Sequence, residues 1–424
     1  MSFESFVSAH AAVLWLTFGI AVVMGAVVNK TNFCTMGAVS DLVNMGDSSR
    51  IRAWLLAMAV AILGVTLIEA AGLFTVDASR PPYRGGSFAW LEYIIGGVMF
   101  GVGMTLGSGC GNKTLVRIGG GNLKSIIVFI VISICAYFMV NPFPGTDDTL
   151  YSTLFYPWTN LTTVSLAGKQ DLGSLVSAAS GADVATMRLI FGLLVCAGIL
   201  LFVFKSEDFR QSADSKLAGI VVGACIIAAW YVSADFATIS ADGEIYSWVN
   251  YASDDVWTMV EDSAAPSGVA VQSYSFINPI GEMTGYLVNG MEGWKGNTLT
   301  YGMVATFGVI IGSLLWAVIS KGFRIEWFVD MKDFITHLIG GALMGVGGIL
   351  AVGCTIGQAV TGVSTLALGS FMVFGSIVFG SAMTMKIQYY RLVYEDEATF
   401  GKAFITALVD MKVLPASLRK LDAV

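Results

Sequence analysis

The chain has 424 residues, 55% hydrophobic and only 12% charged, with a formal net charge of −7 and a mean hydropathy of +0.74. Soluble domains carry about 25% charged residues, so this composition excludes an ordinary soluble enzyme and a basic nucleic-acid binder. His10 and His337 are the only histidines, and none of the six cysteines belongs to a Cys-x-x-Cys pair. That excludes a zinc-type cluster, and no cofactor is expected.

Apolar runs fall at 11–28, 53–73, 88–109, 124–140, 188–204, 217–236, 298–319, 334–352 and 365–385. Each approaches the ~20 residues that cross a bilayer. The expected fold is an all-α polytopic integral membrane protein. It has about nine transmembrane helices plus short re-entrant or broken helices, in one membrane transport domain over 1–424. Only eight prolines occur against 49 glycines, so glycine is the residue that breaks these helices.

The first run decays into "MGAVVNKTNFCTMG", Met24–Gly37, around Cys34. The third decays into "GGVMFGVGMTLGSGCGNK", Gly96–Lys113, around Cys110. The eighth decays into "GGALMGVGGILAVGCTIG", Gly340–Gly357, around Cys354. Gly96–Cys110 and Gly340–Cys354 share eight of fifteen residues at a constant offset of 244. Each of the three cysteines lies nine residues after a glycine (Gly25, Gly101, Gly345). A symmetric fourth tip has no cysteine. The best candidate for it is "SYSFINPIGE", Ser273–Glu282.

Two long polar loops, 141–187 and 237–297, are poor in bases. The second carries Asp242, Glu244, Asp254, Asp255, Glu261, Asp262, Glu282 and Glu292 against Lys295 alone. Short loops elsewhere are basic, with Lys205, Arg210 and Lys216, then Lys321, Arg324 and Lys332, then Lys386 and Arg391. The positive-inside bias puts the basic loops in the cytoplasm and the acidic loops and N-terminus outside. Arg80 and Arg84 violate this mildly. The expected organisation is then a first inverted repeat at 11–140, an outer loop at 141–187 and a linking transmembrane helix at 188–204. A second inverted repeat at 217–385 contains the outer loop 237–297, and a cytoplasmic tail runs from 386 to 424. Inverted repeats with interrupted helices are a recurring transporter design.

Broken backbone at membrane depth is tolerated where it is buried or lines a wet cavity. Each cysteine tip is therefore expected to face a pathway. Half-helix N-termini supply N–H donors and partial positive charge suited to an anion. The expected path residues are Cys34, Cys110, Cys354, Gly109, Gly111, Asn112, Gly353, Gln358, Ser275 and Pro279. Lys30, Lys113 and Arg117 are expected to attract the anion. A neutral thiol is a soft, weak donor, better matched to a sulfur-containing anion than to chloride or phosphate. Cys135, Cys196 and Cys225 read as small buried hydrophobes. Glu69 and Glu92, near the ends of apolar runs, read as snorkelling to the interface, and His10 and His337 as ordinary.

"NFCTMGAVSD", "GGVMFGVGMTLGSGCGNKTLVRIGGGN" and "GGALMGVGGILAVGCTIGQAVTG" resemble the three cysteine motifs of the YeeE/YedE family of bacterial membrane proteins, over about residues 11–385. "SYSFINPIGE" is similar to that family's cysteine-free fourth loop. The resemblance implies uptake of thiosulfate or a closely related sulfur anion across the bacterial cytoplasmic membrane, with Cys34, Cys110 and Cys354 along the path and no enzymatic activity. It also implies a separate soluble sulfur carrier of the TusA type as a cytoplasmic partner, the lipid bilayer as surroundings, and no nucleic acid. The loops 141–187 and 237–297 are longer than in compact members. The alternatives are a membrane thiol redox protein, a general small-solute channel, or a transporter of another sulfur or selenium species.

Overall fold

The computed structural model describes residues 1–241, 243–253, 256–257, 266, 268–288 and 299–422. Of the acidic outer loop, Asp242, Asp254, Asp255, Glu261, Asp262 and Glu292, with Lys295, lie outside the described residues. The principal helices are α1 (Phe6–Thr31), α2 (Thr35–Ser40), α3 (Ser49–Ala70), α4 (Trp90–Leu106), α5 (Gly111–Gly119), α6 (Leu123–Val140), α7 (Val184–Phe204), α8 (Ala213–Ala234), α9 (Ile277–Val288), α10 (Tyr301–Ile319), α11 (Met331–Leu350), α12 (Leu368–Val393) and α13 (Phe400–Asp410). Among the described residues, nine spans are long and apolar enough to cross a membrane. The expected all-α polytopic architecture is therefore observed. Helix ends differ from the apolar runs because caps set them. Capped by Ser5, α1 begins at Phe6, five residues before the run at 11, and α12 continues to Val393, past the run's end at 385.

Glycines let the central helices touch. A Cβ at Gly103 would stand 2.8 Å from the Gly340 carbonyl, and one at Gly347 would stand 2.9 Å from the Gly96 carbonyl. The offset of 244 converts each of these contacts into the other. Likewise Gly97 lies against the Val373 carbonyl of α12 and Gly341 against the Val128 carbonyl of α6. Whole-helix packing follows the same exchange. α1 packs on α10 as α8 packs on α3, and α4 packs on α12 as α11 packs on α6. Small residues at such crossings allow the dispersion contact that holds membrane helices together.

One face of the molecule carries the N-terminus and the described parts of the long loops, and these parts are folded. The segment Ser2–Phe3 pairs with Thr238–Ala241, which pairs with Glu244–Ser247. Short helices form at Leu150–Leu154, Tyr156–Thr162 and Leu172–Ser180. Arg84, 1% exposed, binds both oxygens of Glu69 at 2.6 and 2.9 Å, Asp77 at 3.0 Å, and the Thr365 carbonyl at 2.9 Å. Arg188 joins Asp171 to Asp77, and Lys169 closes on Asp77. Burial pushes the Asp77 carboxyl up, but its hydrogen bonds to Lys169, Arg84 and Arg188 outweigh this and hold it well below the usual carboxylate range. Arg84 is thus paired with Glu69 and Asp77 in the interior rather than free at the surface. Glu69 is committed to Arg84. Glu92 is buried and accepts a hydrogen bond from the Tyr151 hydroxyl at 3.2 Å rather than snorkelling.

The opposite face holds the basic loops. Residues 386–424 are not a free tail there. α12 runs on to Val393, and α13 folds back so that Asp410 meets Lys386 at 3.3 Å, Tyr390 at 2.6 Å and Arg419.

Candidate functional site

Three helices end in the same way. Asn32, Ser108 and Val352 each adopt a left-handed conformation, with φ of 50°, 58° and 55°. Each lies two residues before a cysteine. The next N–H bonds five residues back: Phe33 to the Val28 carbonyl at 3.1 Å, Gly109 to Met104 and Gly353 to Gly348, both at 2.8 Å. This is the Schellman closure of a helix C-terminus. Cys34 and Cys110 are then extended, and each cysteine's carbonyl accepts the first bond of the following helix: Ala38 to Cys34 at 2.9 Å, Thr114 to Cys110 and Gln358 to Cys354, both at 2.8 Å. Each cysteine therefore stands at the start of a half-helix. The segments after Cys34 and Cys354 continue in π-helical form at Asp41–Met45 and Ile356–Gly362, a geometry that concentrates at functional sites.

An N-cap oxygen normally satisfies the free N–H groups of a first helical turn. Here a thiol occupies that place. The Cys34 thiol faces the N–H groups of Met36 and Gly37, and the Cys110 thiol faces that of Lys113. Neither closes a cap hydrogen bond. The Cys354 sulfur receives the Gly357 N–H at 3.4 Å and also faces the N–H groups of Ile356 and Phe276.

Cys34, Cys110 and Cys354 are 5%, 1% and 0% exposed, so these tips lie in the interior. The Cys34 and Cys110 thiols interact with each other, and Cys110 also faces the Thr355 hydroxyl next to Cys354. Two thiols 76 positions apart are thus neighbours, a pairing that sequence spacing hides. All six cysteines are free.

Polar atoms without hydrogen-bond partners gather around the tips. They include the Thr35 and Thr355 hydroxyls, Asn112 Oδ1, Gln358 Oε1, Ser275 Oγ and Tyr83 Oη. Gln358 is held by its Nε2, which donates to the Ala351 carbonyl at 2.6 Å. A buried polar atom left unpaired costs roughly 1–3 kcal/mol, so a group of them marks space for a polar guest.

The cysteine-free stretch Ser273–Glu282 lies at the same centre. Tyr274 donates its hydroxyl to the Thr17 carbonyl at 2.8 Å and accepts from Thr361 at its own carbonyl at 2.7 Å. Phe276 starts α9 by accepting from Ile280 N–H at 3.0 Å. Ile277 packs against Gly111 and Gly348, where a Cβ would meet it at 3.0 and 2.8 Å. Ser275 adjoins Gly353 and Gly357, while Pro279 fits into the space left by Gly302.

Of the bases, Lys113 reaches Asn32 Oδ1 at 3.4 Å and Arg117 donates to the Ser108 carbonyl at 2.7 Å, so both flank the Cys34–Cys110 tips. Gly109 abuts the Lys113 stem. Lys30 is exposed, with its ammonium 5.5 Å from the Trp316 ring. Cys135 is half-buried, and Cys196 and Cys225 turn their thiols to the Ala59 and Ile20 carbonyls.

Sequence reading missed Arg80, Tyr83 and Thr355. Tyr83 lies beside Ser275 and Cys354. Arg80 lines a cavity of about 220 Å³ together with Asn278, Val352 and Gly353, and a smaller one with Ser275 and Glu282. Only the Arg80 charge-rule violation was a signal, because the loop that brings Arg80 and Tyr83 to the tip has no helical pattern.

Residues 30–383 match a family model described as sulphur transport. The chain is 26% identical over 344 residues to the thiosulfate transporter TsuA of Escherichia coli K12, covering 79% of this chain and 83% of that protein. It is 22% identical over 371 residues to the thiosulfate transporter TsuA of Spirochaeta thermophila, covering 85% of this chain and 94% of that protein.

Proposed function

Because the chain belongs to the sulphur-transport family, we propose that it takes up thiosulfate, or a closely related sulfur anion, across the bacterial cytoplasmic membrane, along a path through the Cys354, Cys110 and Cys34 tips. The observation that carries this reading is the pair of interior helix starts at Cys34 and Cys110, whose thiols close no cap hydrogen bond, beside unpartnered Asn112, Thr355 and Gln358. An anion accepts from the first-turn N–H groups, and the thiol adds a soft contact to its terminal sulfur. The weakness of each contact matters, since conduction needs binding that admits and then releases.

In this reading Arg80 meets the anion at the acidic-loop face, taken as the outside. Cys354, with Ser275 and Tyr83, receives it next. The Cys110–Cys34 pair passes it toward Lys113 and Arg117 on the cytoplasmic side. The reciprocal glycine contacts at offset 244 and the matched helix pairings support two inverted halves, 11–140 and 217–385, joined by the helix of 188–204. Inverted repeats place the substrate at their interface, which is where the tips converge. A soluble sulfur carrier would receive the product on the inner side.

Growth rescue tests the reading. Expressed in a bacterium unable to import sulfur anions, the chain restores growth on thiosulfate as sole sulfur source and not on sulfate. Rescue on sulfate alone, or on neither at normal membrane abundance, contradicts it.

A further inference from the structure

On the basic-loop face, α4, α11, α12 and α13 enclose a groove of about 770 Å³, within the ~300–1,000 Å³ range of small-ligand sites. Its walls are apolar, from Val102 and Leu106 to Met383, Leu392 and Phe404. Lys332 and Arg391 also line it. Some neighbouring cations are paired, while Lys402 donates to the Glu397 carbonyl at 3.3 Å. Lys124 pairs with Asp333 at 2.7 Å, and Lys386 and Arg419 both pair with Asp410. Among the described residues Lys332 and Arg391 have no ion pair, and the groove's carboxylate is Glu395, one negative charge against two positive ones. Leu392 and Phe400 are 76% and 63% exposed at the same place, so the apolar wall runs on to the outer surface of the helices.

A soluble ligand has no use for an apolar wall open to the side at the end of membrane helices. A phospholipid does, because its chain extends along the helices while its phosphate sits level with their ends. Basic pockets between helix ends on the cytoplasmic side suit anionic head groups, and lysine and arginine stems tolerate an apolar wall while their charges stay at the polar boundary. We propose that this groove is a binding site for one anionic phospholipid, with the phosphate between Lys332 and Arg391 and an acyl chain along Leu106, Met383 and Leu392. α13, folded back by Asp410, forms the wall that makes the groove a site rather than an open helix surface. The site is separate from the cysteine tips and independent of the transported substrate.

The test uses the full-length protein in detergent, with phosphatidylglycerol, phosphatidylcholine and inorganic phosphate as probes. Phosphatidylglycerol should raise the melting temperature by about 3 °C or more beyond phosphatidylcholine, since a ligand that binds only the folded state stabilises it. Native mass spectrometry should find one phosphatidylglycerol retained. The double variant Lys332→Gln/Arg391→Gln should lose both effects. Thr336→Trp keeps both cations but fills the groove, and it should lose them too. An equal shift with phosphatidylcholine, a full shift with inorganic phosphate alone, or undiminished phosphatidylglycerol retention by the double variant and by Thr336→Trp would each overturn the proposal.

Discussion

Capped helix starts in this protein and the helix starts at its Cys34 and Cys110 tips are built from different chemistry. Away from the cysteine tips, Ser5, Asn122, Asp171, Asp183, Ser206, Ser212, Thr300 and Asp330 each place a side-chain oxygen on a first-turn N–H. At the tips, Cys34 and Cys110 stand in the same position with no cap bond closed. Side-chain caps are also missing at Ser48, Ala89, Ala367 and Thr399; Cys34 and Cys110 differ from these in placing a buried thiol beside unpartnered polar side chains. An uncapped buried helix end is a cost with no structural return. In the proposed path, the Cys34 and Cys110 thiols serve as poor caps that leave first-turn N–H groups open.

Converting a cysteine tip into a capped start should have the largest effect. Cys110→Asp supplies a good cap that is also an anion on the proposed path. Like charges ~4 Å apart repel by roughly 4 kcal/mol at an effective dielectric of about 20. Thiosulfate uptake should fall at least about tenfold at equal membrane abundance. Uptake near the wild-type rate would break the contrast, because it would mean that nothing negative passes Cys110.

The reverse exchange is smaller and should appear in a different measurement. Ser212→Ala removes a cap away from the tips, whose oxygen accepts from Ser215 N–H at 3.2 Å. It should cost about 1 kcal/mol of stability, read as a lower melting temperature, and leave the KM for uptake unchanged. A KM change would show that caps away from the tips also serve the path. The smallest effect is expected of Cys196→Ala and Cys225→Ala. Their thiols face backbone carbonyls of neighbouring helices, and uptake should stay within about twofold of wild type, a loss well below that of one hydrogen bond.

The amino-acid sequence exposes this contrast only in part. Apolar runs revealed the nine spans because the membrane demands them. Glycine followed by cysteine marked the three tips because both residues are conspicuous in a helix that breaks. The left-handed residues before each cysteine were less visible. Asn32 is a natural occupant of that conformation, but Ser108 is an uncommon one, and Val352 is β-branched and ordinarily avoids it. Holding such a residue there costs of order 1–3 kcal/mol, and only the surrounding fold enforces it. The Cys34–Cys110 contact, the Arg84–Glu69–Asp77 network and the approach of Tyr83 to Cys354 all join distant segments. No local periodicity encodes them. Residues 386–424 read as a cytoplasmic tail because they follow the last apolar run, and no local pattern shows that Asp410 would bring Phe400–Asp410 back onto Lys386 and Tyr390.

The central claim is that the three thiols at the helix tips are stations on a path and the other three are packing. Radiolabelled thiosulfate uptake into proteoliposomes, at matched protein content, compares all six single Cys→Ala variants. Losing one weak hydrogen bond, worth about 1 kcal/mol, slows a step about fivefold. Cys34→Ala, Cys110→Ala and Cys354→Ala should therefore each lose about fivefold or more, while Cys135→Ala, Cys196→Ala and Cys225→Ala remain close to wild type. Equal uptake by all six variants would contradict the account and make the tips packing features.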